Sequence, residues 1–434
     1  MPLGSFVNLV RLKLLFLIFA ILYPVLRKKS VYLFLNFSGP SFIKLGQSLS
    51  ARPDLVGESL AKALSGFQDN VKPFKAKIVK RIIAKEFGEN FDKIFSDFEY
   101  NATASASIAQ VHKAILKDGE EKVAVKILRP NIKRIVRRDI KTLDLMIKIM
   151  SLFSKKLAHG FGDVSSLLKI CYESELNLAR EATNAVMLRK NMASTKGFYV
   201  PKVYLEHTNS KILVIEWIDG IAFCDRDAIL NSKQDKKKIA KNLIISYFNQ
   251  AYRDGFFHAD MHQGNLFLME NGDIAAVDFG IMGQIDKKLR IAIVEILIAY
   301  LNKDYAKVAK IHIEAGIIPK DVNLHDLELT CRKIGRRTVG SSIKDISIAG
   351  LLGDLVEMSS KYQMSTRPEL LLLQKTILLV EGVGVMLDPD LNIWNIAKPW
   401  VKDWAVKNIS FDAKIRDAVV DFFAAVKNIV KSNL

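Results

Sequence analysis

The 434-residue chain holds only three cysteines, Cys171, Cys224 and Cys331. Their scatter and odd number build neither a disulfide framework nor a Cys/His metal spacing, which favours a reducing compartment. Acidic residues are also short, with 46 Asp and Glu against 64 Lys and Arg, a net charge of +18. No zinc-finger, RNA-recognition or helix-turn-helix signature accompanies this charge, which argues against nucleic acid as a partner. Basic clusters occur at Lys126, Arg129, Lys133, Arg134, Arg137 and Arg138, at Lys236-Lys237-Lys238, and at Arg332, Lys333, Arg336 and Arg337. They suit an anionic lipid surface better.

A long apolar run is missing as well. Residues 14–26 carry no charge, but Lys13 and Arg27-Lys28-Lys29 bound them and Pro24 interrupts them. A spanning helix needs about twenty apolar residues. No small-residue cleavage site of a secretory signal follows. Residues 1–37 therefore read as an interfacial anchor, or as a helix packed on the core with its flanking cations snorkelling. A span would need Val31 to Leu35 as well. Residues 418–430 form a short amphipathic pattern that Asp421 and Lys427 make too polar to span.

What is present is chemical. Residues 258–265 read His258-Ala259-Asp260-Met261-His262-Gln263-Gly264-Asn265, and Asp278-Phe279-Gly280 follows. These are the spacings of a kinase catalytic loop and magnesium site. Phosphoryl transfer needs an oriented nucleophile and metal ions that neutralise phosphate oxygens. Asp260 can take a proton or orient the attacking group, and Asn265 and Asp278 offer the hard oxygens magnesium prefers. The apolar run Ile274-Ala275-Ala276-Val277 predicts a buried strand that delivers Asp278, and Gly255 to His258 predicts a rigid base for the loop.

Upstream, Val123-Ala124-Val125-Lys126 has the form of the kinase strand whose lysine contacts the alpha and beta phosphates. Its alternation suits a half-buried strand. Glu175, within the helical pattern Leu167, Leu168, Cys171, Leu176, Leu178, is the expected partner of Lys126. Glu173 and Glu181 compete for that role. The glycine-rich loop expected ahead of Lys126 is absent, for residues 101–116 contain no glycine. Thr103, Ala104, Ser105, Ala106, Ser107, Ile108, Ala109, Gln110 and Val111 stand there instead. Their Cβ atoms disfavour positive φ and close backbone approach, so a stiffer nucleotide loop is expected. Ser105 and Ser107 add hydroxyl donors.

Together these residues resemble the UbiB family of atypical, protein-kinase-like proteins. The most family-specific match is Phe42-Ile43-Lys44-Leu45-Gly46-Gln47, a Lys-x-Gly-Gln element that ordinary kinases lack. Arg129-Pro130, Glu175-Leu176-Asn177, Glu181-Ala182 and Glu216-Trp217-Ile218-Asp219-Gly220 also match, over residues 38 to about 390. The Glu-Leu-Asn and His-Ala-Asp-Met-His forms look most like the bacterial, ubiquinone-linked branch. Gln263 replaces a proline common in the loop, and the C-terminus departs from relatives that end in a hydrophobic membrane pair.

The resemblance implies an α+β, two-lobed protein-kinase-like fold with a helical N-terminal extension. It implies an ATPase or small-molecule kinase, with ATP and Mg2+ as cofactors, needed for ubiquinone biosynthesis. Lys44 and Gln47 would reach the nucleotide cleft, since a Lys and a Gln one turn apart share a helix face. Lys126, Glu175 and Asp260 join them as catalytic residues. The loop residues 103–111, Lys126 and Glu216 would hold the nucleotide, and Asn265 and Asp278 the metal. Expected partners are anionic lipids, other ubiquinone-biosynthesis enzymes and polyprenyl-phenol intermediates, at the cytoplasmic face of a bacterial inner membrane. A small-molecule or lipid kinase and a nucleotide-binding scaffold are the alternatives.

The expected organisation is a membrane-associating segment (1–37), a helical extension with the Lys-x-Gly-Gln motif (38–97), a small nucleotide-binding lobe (98–220), a helical catalytic lobe (221–390) and C-terminal amphipathic helices (391–434). Val200-Pro201-Lys202-Val203 and Lys211 to Glu216 read as strands. After Gly280 no Ala-Pro-Glu follows, and Leu289 to Leu301 reads as an apolar helix, which argues against a phosphorylation-controlled kinase. Leu370 to Met386, broken by Lys375 and Glu381, reads as a core helix.

Overall fold

The computed structural model describes residues 72–106, 108–151, 176–339, 362 and 368–408. The expected anchor, the Lys-x-Gly-Gln element with Lys44 and Gln47, Ser107, Glu173, Glu175 and residues 418–430 lie outside them. The chain divides into two compact units, Met1–Asn184 with Lys202–Trp217, and Ala185–Pro201 with Ile218–Leu434. In chain order the elements begin α1 (Ala76–Phe87), α2 (Phe91–Ile94), β1 (Phe95–Phe98), β2 (Ala104–Ser105), β3 (Ala109–Leu116), β4 (Lys122–Leu128), α3 (Ile132–Ser151), α4 (Leu178–Met192) and β5 (Phe198–Tyr199). Next come β6 (Ile212–Glu216), β7 (Gly220–Ala222), α5 (Arg226–Asn231), α6 (Lys236–Phe248), β8 (Phe256–His258), β9 (Leu266–Met269), β10 (Ile274–Ala276) and β11 (Met282–Gln284). The last helices are α7 (Lys287–Leu301), α8 (Tyr305–Glu314), α9 (Leu324–Val339), α10 (Pro368–Leu387) and α11 (Ile393–Asn408).

The first unit is built on an antiparallel sheet of order β1-β3-β4-β6, with β2 paired to β3. Alternation decides its faces. Val123, Val125 and Ile127 of β4 are fully buried and pack with Val79, Ile83, Phe95, Phe98, Leu116, Ile212 and Val214. Lys122, Ala124 and Lys126 take the other face, because successive strand residues point to opposite sides. The core thus sets the direction of Lys126 before any ligand is considered.

Residues 200–203 do not form the expected strand. The strand there is β5, and Val203 makes only a single bridge to Ile215. Pro201, which has no N–H for a ladder, stands between them.

The second unit carries a sheet of order β5-β10-β9-β7 and a ribbon of β8 with β11. It is therefore less purely helical than the sequence pattern of 221–390 implies. Its short strands pair the apolar runs on both sides of Asp260 and Asp278. A π-helical turn, Asn249–Asp254, leads into β8 and ends at Gly255 with φ +69°. A Cβ on Gly255 would lie 2.5 Å from the Ile285 carbonyl oxygen, so the turn requires glycine. After Gly280 the chain passes through β11 directly into α7, which Asp286 caps by accepting from the Leu289 N–H at 2.8 Å. Helix α6 packs on α10 and α11. Among the described residues, no helix is long and apolar enough to cross a membrane.

Candidate functional site

In the first unit Lys126 meets a carboxylate. Its ammonium donates to both oxygens of Glu181, at 2.8 and 3.0 Å. Glu181 lies in the first turn of α4, where its charge also favours the helix N-terminus. Glu181, one of the competitors of Glu175, thus meets Lys126, while Glu175 lies outside the described residues. Leu176 and Asn177 precede the helix, and α4 begins only at Leu178.

The glycine-free segment forms a tight hairpin. Thr103 N–H donates to the Val111 carbonyl and Ala106 N–H to the Ala109 carbonyl, both at 2.9 Å. No described residue of the segment has a positive φ. Arg129 staples it, donating to Ser105 Oγ at 2.8 Å and to the Ala106 carbonyl at 2.9 Å. Thr103 and Ala104 are exposed and Ser105, Ala106 and Val111 half-buried, whereas Ile108, Ala109 and Gln110 are buried. Gln110 holds structure together: its Oε1 accepts from the Phe74 N–H and its Nε2 lies 2.9 Å from His112 Nε2. Burial pushes the His112 pKa below the usual imidazole value. Glu216 ends β6 and its Oε2 accepts from the Lys202 N–H at 2.9 Å, which ties the carboxylate to the backbone.

In the second unit the catalytic-loop motif closes on itself. His258 is fully buried and donates through Nε2 to the Val277 carbonyl at 3.2 Å, while its Nδ1 accepts from the Asp260 N–H at 3.1 Å. This pattern fixes one tautomer of a neutral ring, and burial holds its pKa below the usual value. Asn265 Nδ2 donates to the Asp260 carbonyl at 3.1 Å, and the Val277 N–H donates to the Asn265 carbonyl at 2.9 Å. The β9–β10 hairpin places Asn265 and Asp278 at the same end of the sheet, since Ala276 faces Leu266. Asp278 has φ +63°, a left-handed backbone uncommon outside glycine, and such strain is held at sites that need a side chain re-aimed. Its Oδ1 accepts from the Gly280 N–H at 3.3 Å, and Phe279 is buried with its ring 5.6 Å from that of His258.

One contact was not legible as function in the sequence. Lys375 of α10 donates to Asp260 Oδ1 at 2.7 Å. The available signal was a lone lysine in an apolar helix, since a cation among apolar groups needs a partner. His262 Nε2 lies 3.8 Å from Asp260 Oδ2. The Gly264 N–H donates to His262 Nδ1 at 3.0 Å, so the neutral ring carries its proton on Nε2 and presents it toward Asp260.

Asn265 donates one amide hydrogen to the Asp260 carbonyl, and its amide oxygen is the acceptor end. With the Asp278 carboxylate, this donor set fits a hard cation such as magnesium rather than a soft metal. Among the described residues, no group of three or more His, Cys, Asp or Glu gathers as a protein-only metal cage.

A lysine on an antiparallel sheet paired with a helix glutamate, followed in the chain by an aspartate–asparagine loop and an Asp-Phe-Gly turn, defines a kinase-like protein. The family model described as the ABC1 atypical kinase-like domain matches residues 66–312, and the UbiB helical domain matches residues 331–392. The protein named "Probable protein kinase UbiB" of Pseudomonas fluorescens is 37% identical over 378 residues, covering 86% of this chain and 70% of the relative. Its namesake in Histophilus somni is also 37% identical, over 382 residues. The chain belongs to the UbiB family of ABC1 atypical kinase-like proteins. Among solved structures, the complex of Rv3197 with erythromycin from Mycobacterium tuberculosis shares the fold with a TM-score of 0.56 and 23% identity. That match covers 87% of this chain and 97% of the other.

Proposed function

We propose that this protein is an ATP-dependent phosphotransferase or ATPase that works with Mg2+ at a membrane surface and supports ubiquinone biosynthesis. The observation that carries the reading is the convergence of Asp260, Asn265 and Asp278 through the β9–β10 hairpin and the His258 bridge. Asn265 and Asp278 would hold magnesium, with phosphate oxygens and water completing its preferred oxygen shell. The bound ion supplies neutralisation of phosphate charge. Lys126, held by Glu181, is the phosphate ligand, and Asp260 orients water or an acceptor hydroxyl. In that step the bond from phosphorus to the ADP oxygen breaks and a bond to the acceptor oxygen forms. The acceptor proton passes to Asp260 and then to solvent.

Support for a lipid surface comes from α3. Its exposed face carries Lys133, Arg134, Arg137 and Lys141, while Ile132 and Val136 are buried. Anionic headgroups attract such a face. The cytoplasmic side of a bacterial inner membrane would supply both ATP and anionic lipid. Lys44, Gln47 and the residues 104–107 belong to this reading as nucleotide-selecting groups.

The test is magnesium-dependent ATP hydrolysis by the purified protein, with and without anionic vesicles, beside Asp278→Asn. Turnover raised by vesicles and lost in the variant supports a membrane-coupled ATPase. Nucleotide binding with no turnover under either condition favours a scaffold, and labelled phosphate on a separable acceptor favours a kinase. In the parent cell, loss of the gene should lower ubiquinone and build up a polyprenyl-phenol precursor. Normal quinone levels would contradict the pathway assignment.

A further inference from the structure

Asp260 lies inside the kinase-like domain match, which ends at residue 312. The ammonium bound to it lies in the helical domain match instead, at Lys375. The helix that carries this lysine is firmly seated. Leu370, Leu373, Ile377, Val380 and Val383 of α10 are buried. Tyr247 of α6 donates its hydroxyl to the Leu373 carbonyl at 3.2 Å, and Thr376 Oγ1 donates to the Leu372 carbonyl at 2.7 Å. The same helix touches the catalytic loop again three turns on, where Gln263 Nε2 lies 3.5 Å from Met386 Sδ. Two separate contacts thus align α10 with the loop.

We propose that Lys375 is a positioning residue for Asp260, supplied by the helical domain. The inference rests on the reading of Asp260 as the group that orients the phosphoryl acceptor. A carboxylate rotates in a broad, two-fold well about its last torsion. Lys375 on Oδ1 fixes that rotor and directs Oδ2 to the His262 side, where Nε2 lies 3.8 Å away. Groups mounted on packed helices hold such geometry better than groups on loops. The helical domain on this account completes the catalytic loop rather than merely following it.

The experiment is steady-state magnesium-ATP hydrolysis by the full-length protein in five forms: wild type, Lys375→Met, Lys375→Arg, Asp260→Asn and the Lys375→Met/Asp260→Asn double variant. Lys375→Met should lower kcat about tenfold or more while KM for ATP changes less than about twofold, because orientation and not binding is lost. Lys375→Arg should recover most of the rate. In the Asp260→Asn background, Lys375→Met should cost nothing further, as expected for residues that act as a unit. An unchanged kcat in Lys375→Met, or the same fractional loss in both backgrounds, would overturn the proposal while an active wild type preserves the phosphoryl-transfer reading. A wild type without magnesium-dependent turnover overturns that reading and this proposal together. Should Lys375→Met fail to fold, Lys375→Gln takes its place under the same criteria.

Discussion

Lys126 and Lys375 each meet a carboxylate, at 2.8 and 2.7 Å, but in different units and in different surroundings. The Lys126 and Glu181 side chains are 13% and 3% exposed, those of Lys375 and Asp260 33% and 17%. The first pair is closed to solvent, and both Glu181 oxygens accept from the Lys126 ammonium. Its attraction must offset the removal of two charges from water, and each partner becomes a liability without the other. The second pair uses one carboxylate oxygen for Lys375 and keeps the group near solvent. On the proposed function, a glutamate that holds a lysine can be sealed in, whereas an aspartate that is to meet a reactant cannot. The difference teaches that similar ion-pair distances serve anchoring in one unit and access in the other.

The sharpest break of this comparison would come from the Asp278-Phe279-Gly280 turn. Asp278→Asn should lower magnesium-dependent turnover by about a thousandfold or more, the scale of a lost electrostatic contact to the transition state. Asparagine tolerates the left-handed backbone, so the melting temperature should stay near that of the wild type. Full activity in this variant would remove the second unit from the chemistry.

Glu181→Ala should destabilise the protein by about 3 kcal/mol in urea unfolding, since it strands the Lys126 cation in a mostly buried place. A loss under about 1 kcal/mol would show that the closed pair is as expendable as a surface one.

Acid should weigh comparably on the second unit, where His312 is fully buried. Burial pushes the His312 pKa down to about 4. The folded value lies below the unfolded one, so the unfolded chain binds more protons between about pH 6.5 and pH 4. Stability is therefore full above about pH 6.5 and falls as pH drops through that window, by up to about 3 kcal/mol for this one group. His312→Leu should flatten the dependence of unfolding free energy on pH in that range. An unaltered slope would contradict it.

The smallest effect on stability is expected from Lys375→Met. The pair it breaks is one-third exposed on the lysine side, so solvent screening limits the stability loss to less than about 1 kcal/mol. Methionine also keeps a good helix former at the position. A loss as large as that from Glu181→Ala would erase the distinction between the two pairs.

Several of these features were readable from the chain. The alternation of residues 122–127 announced β4 and the face of Lys126, because one buried side forces period two. The apolar run before Asp278 announced β10, and the missing activation segment announced the direct entry to α7. Others were not readable. The contact of Lys126 with Glu181 is one, for Glu181 stood only as a competitor, on α4, which starts at Leu178 and buries Leu178, Ala182, Ala185 and Leu188. Glu181 takes its position from that helix start. Gln110 stood in the loop motif as a nucleotide contact, yet the hairpin turns it into the core against Phe74. The strand expected over residues 200–203 failed at Pro201.

What the sequence by itself determined is the local chemistry: the order and spacing of His258, Asp260, Asn265 and Asp278, which strand pairing and short loops bring together almost without outside help. Tertiary structure decided the partners. Glu181 lies 55 residues from Lys126, and Lys375 lies 115 residues from Asp260. No local pattern specifies contacts at such separations. They follow from how whole helices bury their apolar faces, and only that packing determines which charged side chain is left facing which.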